Sequence, residues 1–169
     1  IIATQYIMAR VNVLFGGLGS SKKLLQKFAN IYESNTIIVP FTLSCMAMGK
    51  KYTRYEQLNM QCQDYDKIHI HVLSGSCHYL YNYLLYFPEN ITKITSQVYD
   101  SPCHINGVIP RLEQMYGLPP GLTSRLITTL FPDCVQTSDA FSTYALLRNI
   151  PTGIIKSTND IPLLLSDIP

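Results

Sequence analysis

Short β-branched apolar runs alternate along this chain with stretches whose apolar residues recur at helical spacing. Residues 9–15 (ARVNVLF) form such a run, ended by GGLGSS at 16–21. The following KKLLQKFANIYES places Leu24, Leu25, Phe28 and Ile31 or Tyr32 on one helical face and Lys22, Lys23 and Lys27 on the other. Asn35 closes that helix, and 36–40 (TIIVP) reads as a second, buried strand. Residues 41–51 show no clear period, whereas 52–66 read as a helix with Tyr55, Leu58, Asn59 and Cys62 along one side. The alternation continues with a strand at 67–73 (KIHIHVL), a helix at 77–87 and a strand at 92–99 (TKITSQVY).

After Asp100 the rhythm lapses, and Pro102, Pro110, Pro119 and Pro120 punctuate short helical pieces. A helix at 122–130 and another at 139–148, capped by Ser138, follow, and 151–156 (PTGIIK) supply a fifth strand. These elements predict one domain over 1–169 with a helical insertion at about 103–149. Strands joined by helical crossovers predict an α/β fold. Its doubly wound, mostly parallel five-stranded sheet carries helices on both faces, giving a three-layer sandwich. Ligands then belong at the carboxyl ends of the strands, here 16–21, 41–45, 74–78, 100–104 and 157–160.

Composition narrows the classes. The chain has 169 residues, 47% of them hydrophobic and 14% charged, a lean charge that points to a covered surface, a protein partner or a homo-oligomer. Thirteen basic residues against 11 acidic ones give +2 without a basic run, which argues against nucleic acid. The 5 cysteines lack a CxxC pair and fit neither a disulfide framework nor a zinc cage, so an intracellular, reducing compartment is expected. No apolar run approaches the ~20 residues of a membrane span. Asn90-Ile91-Thr92 is a formal glycosylation sequon.

GGLGSSKK fails as a phosphate loop, because Ser21 rather than Gly precedes Lys22 and Lys23 stands where Ser or Thr would hold magnesium. It fails as a dinucleotide fingerprint too, since Lys22 occupies the third glycine's place, and no cofactor is implied. A flavodoxin-like or nucleotide-binding domain is thereby a minor alternative. A glycine loop after a central strand can instead offer backbone N–H groups to an oxyanion, with Gly17 and Leu18 as donors, or it can simply turn the chain. At 72–78 (VLSGSCH), a strand meets a helix as in a nucleophile elbow. Ser74 is the better nucleophile, with Ser76 as the small residue after it and Gly75 beside it as an oxyanion donor, although Val72 stands where glycine is usual. For Ser76 as nucleophile, His78 is too bulky, and Cys77 falls too far into the helix. A serine that turns the chain and caps the helix is the plainer alternative. Asp100 and Asp160 follow the fourth and fifth strands, where an acid can orient a catalytic histidine.

In this order the motifs resemble the α/β-hydrolase-like proteins related to transmembrane protein 53. VLFGGLGSSKKLLQKFANIYES is similar to that family's strand, glycine loop and K-L-x-K-[YF]-x-x-x-Y helix. HVLSGSC, YDSPCH and KSTNDIP are similar to its H-x-F-S-N-G-G, D-S-x-P-G and Y-S-x-x-D-x-I-P. The resemblance covers roughly 9–162 and implies Ser74 as nucleophile, Asp100-Ser101 as the D-S pair and Asp160 as the acid of a triad. Ser76-Cys77 replaces Gly-Gly, and Cys103 displaces the glycine after D-S-x-P. Of the 4 histidines, His69 and His71 lie within a strand, His78 in the helix after Ser74, and His104 near a strand end; the resemblance implies a catalytic His in a C-terminal part after Pro169. Two functions are therefore expected as alternatives. One is a serine esterase or lipase-like hydrolase acting on a small acyl ester. The other is an inactive hydrolase-like binding or structural subunit whose tyrosine-rich 79–86 surface is covered by a partner.

Overall fold

The computed structural model describes residues 9–18, 20–41, 51–100, 113–114, 117–130 and 147–155. The elements are β1 (Arg10–Leu18), α1 (Lys22–Ala29), β2 (Thr36–Phe41), α2 (Lys51–Cys62), β3 (Lys67–Leu73), α3 (Cys77–Tyr86), β4 (Ile94–Asp100), α4 (Leu122–Leu130) and β5 (Thr152–Ile155). Short 3₁₀ turns at Ser74–Ser76 and Pro88–Lys93 lead into α3 and β4. The strands form one sheet in the order β2-β1-β3-β4-β5, and every neighbouring pair is parallel. Among the described residues no helix is long and apolar enough to cross a membrane.

Strand alternation divides the core between two faces. Val11, Val13, Phe15, Ile68, Ile70 and Val72 pack with Tyr55, Leu58 and Cys62 of α2 and with Leu80, Tyr83 and Leu84 of α3. On the opposite face, Leu14 packs with Leu25 and Ala29 of α1, flanked by Phe28, Ile38 and Leu73. Helices thus cover both sides, as the crossovers predict. The helix expected from Asp139 begins outside the described residues.

Several local expectations shift. The face of α1 that meets the sheet is Leu25, Phe28 and Ala29. Leu24 (47% exposed) points outward, because a residue one step from buried Leu25 lies about 100° around the helix, and Ile31 (75%) is exposed because α1 ends at Ala29 and Ile31 lies in the turn after it. β1 runs on through Gly16 and Gly17 to Leu18, with an irregularity in its pairing to β2 between Phe15 and Leu18. A Cβ on Gly16 would stand 2.5 Å from a Leu25 methyl, so the glycine leaves room for that side chain against the strand. Ser21 caps α1 by accepting from the Leu24 N–H at 3.2 Å.

The tyrosines of α3 do not form a surface. Tyr79, Tyr81 and Tyr83 are buried in the core, and only Tyr86 and Leu85 on this stretch are exposed. Asn90 of the sequon is 2% exposed and donates to Asn59 Oδ1 at 2.7 Å and to the Tyr83 hydroxyl at 2.9 Å. Its amide therefore links α2, α3 and the turn before β4, so the sequon's asparagine is a structural residue of the folded chain.

Candidate functional site

The strand order determines where two strand ends can part. The β1-to-β2 connection carries α1 on one face, and the β2-to-β3 connection carries α2 on the other, so the order reverses between β1 and β3. In open α/β sheets, that reversal opens the crevice in which ligands bind. Gly17 near the end of β1 and Ser74 just past the end of β3 lie at it.

Ser74 has φ 54°, and among the described residues it is the only non-glycine with positive φ. Leu73 before it is extended (φ −100°, ψ 125°), whereas Ser76 and Cys77 after it are already helical. The reversal from strand to helix is thus taken up at Ser74, in a left-handed conformation that costs a residue bearing a Cβ about 1–2 kcal/mol. Such strain persists only where the surroundings hold it.

The neighbouring groups supply that restraint. Ser76 is fully buried, and its Oγ lies 2.8 Å from the Leu73 carbonyl and 3.2 Å from the Phe15 carbonyl, tying the turn to the ends of β3 and β1. A Cβ on Gly17 would stand 3.3 Å from the Ser74 Cβ and 3.5 Å from the Leu73 carbonyl oxygen, so glycine keeps β1 close beneath the turn. The Gly17 carbonyl accepts from the Ser20 N–H at 3.0 Å, which curls the loop back over the strand end. Ser76 is accordingly a brace, a role its place in the sequence did not reveal. Cys77 is buried in the α2–α3 core.

Asp100, the last residue of β4, is in register with Leu73, so the acid's strand ends beside the one that leads into Ser74. Gly17, Leu18, Ser74, Gly75 and Asp100 therefore share one end of the sheet. Asp160 and His104 lie outside the described residues.

His69 and His71 occupy the α1 side of β3, away from the larger apolar core. Tyr32 hydrogen-bonds through its hydroxyl to His71 Nδ1 and sets its ring 5.9 Å from His69 and 6.0 Å from His71. His69 Nδ1 pairs with Ser96 Oγ at 2.6 Å. His71 Nε2 is buried without a hydrogen-bond partner among the described residues. Burial pushes both imidazole pKa values below 6.5; at His71 nearby Asp100 opposes this, while His69 adds to it. His71 is buried and His69 half-buried, and for both the burial favours the neutral ring.

That arrangement has a consequence for stability. A histidine whose folded pKa lies below its unfolded value binds fewer protons in the native state, so its contribution is complete above the unfolded pKa and is lost as pH falls. The melting temperature is expected to change little between about pH 7 and 8 and to fall as the pH drops below 6.5, the ordinary histidine value. His71→Gln, which cannot take up the proton, should flatten that fall in thermal melts at pH 7.5 and 5.5. An unchanged pH dependence would remove His71 as its source.

Among the described residues no group of three or more His, Cys, Asp or Glu side chains could hold a metal ion. No protein-family model matches the chain, and no curated protein matches it in sequence. The chemistry available at the β1–β3 reversal is that of a strained, positioned serine beside glycine backbone. A serine so placed can serve as a nucleophile if a base reaches its hydroxyl.

Proposed function

We propose that the chain is a serine hydrolase of the α/β type that cleaves a small acyl ester. The observation that carries this reading is the left-handed backbone of Ser74 at the strand-to-helix turn, at the point where the strand order reverses. A nucleophile elbow has this geometry because it lifts the hydroxyl clear of the sheet and leaves the following N–H groups near the attacked carbonyl.

In the proposed reaction Ser74 Oγ attacks the ester carbonyl carbon while a histidine takes its proton. The tetrahedral oxyanion is received by backbone N–H groups of Gly17, Leu18 and Gly75. The alcohol departs with the proton returned by the imidazolium, and water then releases the acid from Ser74 by the same steps in reverse. Asp160, on the resemblance, or Asp100, on its register with Leu73, orients the histidine. The base is a histidine outside the described residues, and His104 is the candidate on this chain, four positions past Asp100.

A fluorophosphonate probe tests this directly, since it phosphonylates only an activated serine. Intact-mass and peptide analysis is expected to show one adduct, on Ser74. An adduct that persists in Ser74→Ala would place the nucleophile elsewhere, and no adduct on the wild-type chain would favour the inactive binding subunit.

A further inference from the structure

At the opposite end of the sheet from Ser74, the amino-terminal ends of β1, β3 and β4 surround a cleft of about 330 Å³ on the α1 side. Arg10, Asn12, Ser34, Lys67, His69 and Ser96 line it. Arg10 and Lys67 are direct register partners in the parallel β1–β3 ladder, so both leave the sheet on one face, with Asn12 and His69 in the next row on that face. Neighbouring strands are only ~4.8 Å apart, so two like charges in register repel. Among the described residues neither cation meets a carboxylate, and none of the residues lining the cleft is acidic. Asp66, next to Lys67 in sequence, accepts from the Ala9 N–H at 3.1 Å.

The polar groups beside the cations are already ordered. Asn12 is buried and donates through Nδ2 to Ser34 Oγ at 2.7 Å and to the Asn35 carbonyl at 3.3 Å. Ser34 Oγ thus accepts from Asn12, which leaves its own O–H to donate. His69 is fixed through Nδ1 to Ser96. The cleft therefore presents a guanidinium, an ammonium and a hydroxyl donor without a carboxylate. A ligand that offsets both charges and accepts from all three groups must carry two negative charges and several acceptor oxygens. A carboxylate supplies one charge, whereas a phosphate monoester, with its second pKa near ~6, is largely dianionic at neutral pH. The cleft's size lies at the small end of small-molecule sites, which run from roughly 300 to 1,000 Å³.

We propose that this cleft binds a small phosphate monoester, with the phosphoryl group between Arg10 and Lys67 and the organic group toward His69. The site is separate from Ser74 and does not depend on the hydrolase reading. Calorimetric titration of the full chain with inorganic phosphate and phenyl phosphate, at pH 7.5 and ionic strength fixed with KCl, is expected to give saturable binding of both. Benzoate should bind at least about tenfold more weakly, and Arg10→Gln and Lys67→Gln should each weaken phenyl phosphate about tenfold, the loss of one charge-assisted hydrogen bond. Lys27→Gln, on the outer face of α1, should leave the affinity unchanged, and Lys67→Arg should retain binding. Far-UV spectra matching wild type would show that the variants fold. The proposal is overturned by phosphate binding that does not saturate, by benzoate binding equal to phenyl phosphate, or by an Arg10→Gln/Lys67→Gln double variant with wild-type affinity.

Discussion

Ser74→Gly is expected to melt at a higher temperature than Ser74→Ala, while neither variant takes up a fluorophosphonate. Both remove the hydroxyl, so they differ only in the Cβ, which at φ 54° is the source of the strain. Glycine relieves that strain but adds freedom to the unfolded chain, so the net difference should be about 0.5–1 kcal/mol in favour of glycine. For a domain of this size that is roughly 1–4 °C. The comparison separates position from chemistry. Loss of labelling in both variants assigns the reacting atom to Ser74, and the stability order tests the turn that presents it. If Ser74→Ala were clearly more stable than Ser74→Gly, the left-handed turn would be contradicted, and the elbow geometry with it. The bonds of Ser76 to the Leu73 and Phe15 carbonyls explain how the chain keeps serine at so unfavourable a position.

Tyr55→Ala carries the largest expected effect on stability. Tyr55 is 1% exposed, and its ring lies 4.8 Å from that of Tyr79, 5.4 Å from Tyr86 and 6.3 Å from Tyr83. These contacts join α2 to α3. Deleting a buried aromatic of this size costs about 3–5 kcal/mol, because the transfer energy is lost and the rigid rings around it collapse only in part. The melting temperature should fall on the order of 10 °C. Tyr55→Phe, which keeps the ring, should lose much less. Equal stability of Tyr55→Ala and wild type would contradict the placement of the tyrosines inside the domain.

The sheet was legible along the chain. Runs such as TIIVP and KIHIHVL carry β-branched residues in strand-length pieces, and the helical spacing of Tyr55, Leu58 and Cys62 marks the face that α2 buries. Parallel strands follow, because segments of that length between strands allow crossovers and not hairpins. Ser74 as the residue at the turn was also legible, from its place between an alternating run and a helical one. Less legible was what neighbouring segments demand of one another. Leu24 looked as suited to the core as Leu25, and the choice between them was made by how α1 sits on β1, where Gly16 admits Leu25; Ile31 is exposed because the helix ends at Ala29, before it. Asn90 carried a surface signal and became a buried link, because Asn59 and Tyr83 converge on it from other helices.

Alternation and helical period thus determined which segments are strands and helices, since those preferences arise within a few residues of chain. Tertiary structure alone decided the left-handed turn at Ser74, the approach of Gly17 beneath it, the register of Asp100 with Leu73 and the pairing of Arg10 with Lys67. Local pattern marked the place of the turn, but its left-handed backbone, braced by β1, and the strand pairings depend on contacts between residues tens of positions apart.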